Sequence, residues 1–518
     1  MSRPLHVLVI GTGIAGLTAA ILAHRKGHAV TLVTKTEDPA DSNSSWAQGG
    51  IVFKGSGDTP GLLARDILSA ADKMALPEAV KVLAEEGPRA IQEILLDLVK
   101  VPFEKDHGKY RLTEEGAHSV KRILFSSDQT GRVIIQSLLK YLRTETKIRV
   151  LTGHMAIELI TMPHHSRDPL SVYSPSLCLG AYLFSTREKK VRSHFADRVI
   201  LASGGIGQVY LHSTNPLVAT GDGIGLAYRA GARITNMEYT QFHPTTLAVK
   251  EAGGFLISEA VRGEGAVLRN AKGEDFTRKF DPRGSLAPRD IVSRAIQNEL
   301  EKTGAECAYL LLPKMRPAEI QKRFPTIYKK CREHRIDITK EPIPVVPGFH
   351  FSCGGVLTNT HGLSTLPNLY AVGETACTGI HGANRLASTS LLEGLVFARR
   401  AVEDLERSDF RVKPLEKKIR PWEEKGLISN LDPILLKQDW QTLKSTMWNY
   451  VGVIRTRARM RRASETLRDL KSQMDHFYWN ARVGRDIVEL RNAIQTAILI
   501  TSHALKNRRS SGCHYVVD

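Results

Sequence analysis

The residues richest in chemistry fall in five clusters between positions 241 and 393. They are Gln241-Phe242-His243-Pro244-Thr245, Ser258-Glu259-Ala260-Val261-Arg262-Gly263-Glu264-Gly265, Pro288-Arg289-Asp290, His350-Phe351-Ser352-Cys353-Gly354-Gly355, and residues 379–393, GIHGANRLASTSLLE, which contain Arg385. Two imidazoles and two guanidiniums are what a site for a small dicarboxylate requires. Bidentate guanidinium contacts and charge-assisted bonds from imidazole fix the orientation of each carboxylate. Any one of these residues alone reads as a surface charge or a satisfied core histidine. Their concentration beside glycines, in a chain that also carries a nucleotide fingerprint, makes an anion site of them.

The elements that must position them begin at residues 7–20, VLVIGTGIAGLTAA. Four apolar residues read as a buried parallel strand, run into Gly11-x-Gly13-x-x-Gly16 and continue as a helix. Gly11 permits the turn, Gly13 lets the main chain approach a pyrophosphate, and Gly16 lets the helix pack close to the strand. A second strand at residues 29–33 completes a βαβ unit and ends in Thr34 and Lys35. An acidic residue is usual there to grip an adenosine ribose, so a flavin dinucleotide is expected rather than NAD. Residues 42–53 read as a loop passing close to something flat or charged, and residues 58–99 as a surface helical pair entered near Thr59-Pro60. Residues 110–131 hold a short apolar strand, 132–144 are helical, and 148–150, 156–160, 181–185 and 199–202 alternate like strands. His164, His165, Ser166 and Asp168 read as a solvated insertion. Ser203-Gly204-Gly205 follows a strand as a second approach of backbone to ligand, and Asp222 opens a helix, where it reads as a cap. A strand at residues 369–372 runs into Gly373-Glu374, and a helix start at 388–391 could face the flavin and stabilise negative charge on its reduced ring. Residues 440–470 and 486–505 each show long helical periodicity.

The 518 residues suggest two to four domains. No apolar run approaches the roughly 18 residues of a membrane span, and the chain enters its first strand without a charged leader, so a soluble cytoplasmic protein is expected. Six cysteines without a CxxC pair argue against a zinc site, a cluster or a disulfide framework. The net charge of +18 is spread along the chain without a nucleic-acid module, so small anions rather than nucleic acid are the expected partners.

The segments VIGTGIAGL, AQGGI, ASGGIGQVY, TGDGIGLAYRAGA, QFHPT, SEAVRGEGA, PRDIVSRAI, HFSCGGV, LYAVGE and HGANRLASTSLLE together resemble the succinate dehydrogenase and fumarate reductase flavoprotein family. The resemblance runs from the N-terminus to SGCHY at residues 511–515. It implies an α/β architecture: a discontinuous Rossmann-like FAD-binding domain (1–235 and 352–415), an α+β capping domain (236–351) that closes over the flavin, and a C-terminal helical domain (416–518). It implies FAD held by Gly11, Thr12, Gly13, Ile14, Ala15 and Gly16, by Lys35, and by the loop Asn43, Ser44, Ser45, Trp46, Ala47, Gln48, Gly49 and Gly50. Glu374, Ser390, Leu391 and Asp222 complete the set, Asp222 taking a ligand role in place of the cap. Respiratory members attach FAD through a histidine where this chain has Asn43, so noncovalent FAD is expected. The implied dicarboxylate site is Gln241, His243, Ser258, His350 and Arg385. Arg289 exchanges a proton with the substrate carbon, Glu259 and Arg262 connect it to solvent, and no metal takes part. Arginine is a poor base, so this role requires a crowded, cationic site.

The discriminating residue is Glu115, in Glu114-Glu115-Gly116-Ala117-His118-Ser119. Respiratory members carry an apolar aromatic there. A carboxylate would pair with the ammonium of L-aspartate and repel a plain dicarboxylate. The resemblance therefore implies oxidation of L-aspartate to iminoaspartate, with O2 (giving hydrogen peroxide) or fumarate as acceptor and quinolinate synthase taking the product towards NAD. The family's usual Gly-Gly is Gly116-Ala117 here, which bears on the placement of this loop. Two other readings stay open: a respiratory flavoprotein subunit with an iron–sulfur partner, and a flavoprotein that binds nucleic acid through its basic charge.

Overall fold

The computed structural model describes residues 4–313, 315–424 and 432–518. The expected direct entry of residues 1–3 into the first strand, and residues 425–431 of the expected helical domain, lie outside them. The centre is a five-stranded parallel sheet in the order Leu369–Ala371, Arg198–Leu201, His6–Ile10, Ala29–Val33 and Arg149–Leu151. Its strands are runs of Val, Leu and Ile because both faces are covered, as parallel sheets require. Its outermost strand comes from residues 369–371, so the platform closes only after the chain has left it and returned. The helix Ile14–Arg25 lies against the helix Ser390–Asp404, where a Cβ on Gly394 would meet Ile14 at 3.0 Å.

A four-stranded antiparallel sheet, ordered Thr240–Leu247, Ile343–Ser352, Ala308–Leu311 and Val267–Arg269, carries two of the five polar clusters, those of His243 and His350. The helix Arg289–Thr303 packs on it, tied by the Ser293 hydroxyl donating to the Phe242 carbonyl at 3.0 Å. Apolar residues from this sheet and helix form their own core around Leu268, Ile296, Leu310 and Val345.

Several local expectations change. Residues 440–470 are two helices, Pro433–Val451 and Arg457–Asn480, not one. Gly452 turns the chain, Thr456 caps the next helix by accepting from the Arg459 N–H at 3.1 Å, and the fully buried Arg455 donates to the carbonyls of Gly452 and Glu238. Residues 42–53 begin with a short helical turn, Asn43–Trp46, rather than loop throughout. The pair at 58–99 is less superficial than its periodicity suggests. Thr59 caps Pro60–Ala70, but Pro77–Ala90 continues as a π-helical stretch, Ile91–Leu98, and buries Val80, Leu83 and Gly87, the last against Leu392. Lys190–Phe195, largely polar and so unread, pairs as the edge of a three-stranded sheet. The His164-His165 segment is docked rather than freely solvated. His165 Nδ1 accepts from the Thr161 N–H at 3.1 Å and its ring edges that of Tyr182, so burial and the neighbouring His164 hold it down at about 4. Among the described residues, no group of three or more metal-ligating side chains forms, and no helix is long and apolar enough to cross a membrane.

Candidate active site

One continuous cleft, partly open to solvent, runs from the first glycines to the polar clusters. At its near end Gly11 has φ +117°, and a Cβ there would sit 2.1 Å from the Ala202 carbonyl oxygen, so only glycine makes this turn. The helix that follows starts at Ile14 without a side-chain cap, apart from the Ile14 N–H donating to Ser44 Oγ at 3.1 Å. Thr12, Gly13, Ile14 and Ala15 line the cleft. Gly16 sits behind them against the Gly11 carbonyl.

Lys35 Nζ donates to Thr220 at 2.7 Å and pairs with Asp222 at 2.7 Å and Glu489 at 2.6 Å. Asp222 also accepts from Asn492 at 2.9 Å, so it is both at the start of its helix and locked into a polar cluster. From the loop, Asn43, Ser44, Trp46, Ala47, Gln48, Gly49 and Gly50 line the cleft. Ser45 does not: its hydroxyl turns back to donate to the Ala40 carbonyl, closing the helical turn. Asn43 Nδ2 donates to Glu374 at 2.8 Å, and burial pushes that carboxyl up to about 7. The amide oxygens of Asn43 and Gln48 are buried without hydrogen-bond partners among the described residues. A glycine floor, an uncapped helix start and unpartnered acceptors suit a ligand of phosphates and hydroxyls, and Ser390 and Leu391 bring a second helix start to the same cleft.

At the far end the cleft is lined by His243, Ser258, Glu259, Arg289, His350, Arg385 and Glu115. The Arg289 Nε donates to Glu259, and its Nη2 lies 3.8 Å from Glu115. Arg262, which is buried, reaches the other oxygen of Glu259 at 3.3 Å and does not line the cleft. Although burial raises its pKa, the two guanidiniums hold Glu259 down at about 2. Burial opposes the charge on Arg289, yet Glu259 and Glu115 outweigh it and raise its pKa. This reverses the expectation of a cationic crowd that eases deprotonation. Burial pushes the pKa of Arg262 down, and that of Arg385 is pushed down to about 10, first by burial and then by Arg289.

Gln241 also lies behind the cleft surface. It accepts from Arg385 Nε at 3.2 Å and donates to the Arg385 carbonyl at 2.9 Å, so it orients that guanidinium. Ser258 caps its short helix by accepting from the Ala260 N–H. The rings of His243 and His350 are 5.2 Å apart. Their Nδ1 atoms meet Thr245 and Thr214, and neither Nε2 has a protein partner among the described residues. Both pKa values fall well below normal, by burial first and then by the arginines around them. Near neutral pH both rings are therefore neutral in the free protein, and in kcat/KM, which reports the free enzyme, the acid limb that an ordinary histidine would contribute is shifted to lower pH. A pH profile of kcat/KM checks this.

Two residues that matter here were not read from sequence. Thr214 orients His350 at 2.8 Å, and Ser388 donates to Glu115 at 2.8 Å from a left-handed backbone, φ 58°. Ser388 stood in a segment already marked for the flavin, but nothing local pairs it with a residue 273 positions away. Ala117 is left-handed as well, φ 69°. A Cβ there costs about 1 kcal/mol or more, partly offset by the looser unfolded chain of glycine. Ala117→Gly is expected to raise the thermal midpoint by about 1–3 °C in a melting curve.

The profile described as FAD binding domain matches residues 6–391, and that described as Fumarate reductase flavoprotein C-term matches residues 440–518. An L-aspartate oxidase of Pseudomonas aeruginosa is 41% identical over 99% of this chain and 95% of its own length. The chain belongs to the L-aspartate oxidases. A relative of that name from Halobacterium salinarum is also 41% identical, over 99% and 96% of the two chains. The fold of these L-aspartate oxidases is shared with the respiratory flavoproteins: the solved structure of a mutant E. coli quinol fumarate reductase FrdA matches with TM-score 0.86 and 25% identity, covering 100% of this chain and 92% of that one. FAD is the cofactor that the glycine floor and its partners fit.

Proposed function

We propose that the chain oxidises L-aspartate to iminoaspartate and that its FAD passes the electrons to O2 or fumarate. One observation carries the choice of substrate. At the far end of the cleft Arg289 and Arg385, with Arg262 buried behind Glu259, set three guanidiniums against two carboxylates, Glu115 and Glu259, while both imidazoles are neutral. A net charge of +1 remains. L-Aspartate carries −1 and neutralises it, whereas succinate carries −2 and overshoots. In a buried site such a mismatch is costly.

Arg385, His243, His350 and Ser258 hold the two carboxylates, and Glu115 takes the ammonium. FAD, held noncovalently with Asn43 beside Glu374, supplies hydride acceptance when bound. Arg289 exchanges the substrate proton. Because Glu259 and Glu115 hold it cationic, Arg289 gives up its proton reluctantly; it takes one from the substrate only once its own has passed to Glu259, in contact with it, and on towards solvent by way of Arg262, which releases a proton as it receives one. The iminoaspartate formed is the substrate of quinolinate synthase, which we place next in the sequence towards NAD.

The test is anaerobic mixing of the yellow protein with L-aspartate and, separately, with succinate, followed by flavin absorbance. Bleaching by L-aspartate is expected. Bleaching by succinate alone would move the chain to the respiratory reading and show that Glu115 does not face the substrate.

A further inference from the structure

The last residues of the chain touch both arginines' supports at once. The tail is anchored at the buried His514, whose Nδ1 meets Arg455 at 2.7 Å. Gly512 has φ 50°, and a Cβ there would lie 2.5 Å from the Ala383 carbonyl oxygen, so the strand of chain lies flat on the loop that carries Arg385. Its N–H donates to Asp72 at 3.2 Å. Its carbonyl accepts from Arg294 at 3.2 Å, one turn and a half along the helix that Arg289 opens, and Arg294 also covers the ring of Tyr515. The Cys513 N–H donates to the Ala383 carbonyl at 2.9 Å, and its thiol donates to Asn384 Oδ1 at 3.2 Å. The same amide oxygen accepts from Gln241 at 2.7 Å, and Gln241 grips Arg385.

We infer that the C-terminal strap, residues 511–515, is a positioning element that sets the distance between Arg289 and Arg385, acting on Arg385 through Cys513, Asn384 and Gln241 and on the Arg289 helix through Arg294. The inference rests on the dicarboxylate reading of the site. Its physical reason is that two like charges facing one ligand push apart unless the backbones beneath them are tied. The strap is the tie: one covalent segment bonded to the loop under one arginine and to the helix under the other. Cys513 is a positioning residue, since it reaches the substrate end only through two other side chains.

The experiment measures succinate binding to the flavin-loaded protein from the perturbation of flavin absorbance, and KM and kcat for L-aspartate, in Cys513→Val, Cys513→Ser and Arg294→Met. Loss of the buried thiol bond in Cys513→Val is expected to weaken succinate binding roughly three- to tenfold and to raise KM similarly, with kcat changed less and flavin content unaltered. Cys513→Ser restores both. Arg294→Met, which leaves the thiol intact, weakens binding by a similar factor through the other limb. In a Gln241→Ala background Cys513→Val has no further effect, because the path is already cut. Native-like binding in Cys513→Val, failure of serine to rescue, or additive losses with Gln241→Ala would overturn the inference. A native protein that binds no dicarboxylate would overturn the reading of the site and the inference with it.

Discussion

Glu115→Gln lowers kcat/KM for L-aspartate by roughly 10²- to 10³-fold and at the same time tightens the binding of succinate by about tenfold. Glutamine keeps the shape of the side chain and can still accept from Ser388, so the change isolates the charge. Removing one negative charge leaves the substrate end at +2. That matches a plain dicarboxylate and strands the ammonium of aspartate without a counterion. The loss for aspartate is the size expected for one member of a buried, hydrogen-bonded charge pair, and the gain for succinate comes from relief of repulsion. Steady-state kinetics with L-aspartate and a succinate titration of flavin absorbance measure the two arms. A parallel loss for both ligands would mean that Glu115 holds the loop together and does not select.

Arg289→Lys lowers the rate of flavin bleaching by L-aspartate by about 10³-fold while dicarboxylate binding weakens by less than about tenfold. Lysine preserves the positive charge and the pairing with Glu259, so the site keeps its net charge and its anion affinity. It lacks the forked reach with which the guanidinium touches Glu259 through Nε and faces Glu115 through Nη2. Rate and affinity therefore separate if Arg289 exchanges the proton, and fall together if it only grips a carboxylate. Rapid mixing without oxygen gives the rate, and the succinate titration gives the affinity.

Much of this was legible from local pattern. Gly11-x-Gly13-x-x-Gly16 between a buried strand and a helix states a nucleotide site because the geometry it needs lies within six residues. The Val- and Ile-rich strands announce a parallel sheet because both faces are buried. The clusters around His243, Glu259, Arg289, His350 and Arg385 announce an anion site by residue type alone. Even the charge argument for Glu115 needs only its identity and the resemblance of its neighbours. The break at Gly452, the docking of His165 and the strand Lys190–Phe195 were not legible, since a helical period continues through a turn when the flanking helices share a core, and an edge strand need not alternate.

What the sequence by itself determined, then, was the nucleotide platform, the flavin and the kind of substrate. These follow from backbone geometry that glycine alone permits and from which charged groups the chain owns. Only the tertiary structure decided how those charges act on one another. Arg289 is held cationic because Glu115 and Glu259, 174 and 30 residues away, both reach it, and Arg385 is the stronger acid of the two because burial and Arg289 push its pKa down. Ser388 orients Glu115, Ala117 bears a left-handed backbone, and the tail at Gly512 and Cys513 bonds both to Arg294 on the helix that Arg289 opens and to Ala383 on the loop that carries Arg385. A charge has a fixed sign in the sequence, but its pKa and its partner depend on distances of a few ångströms between segments hundreds of residues apart, and folding alone sets those distances.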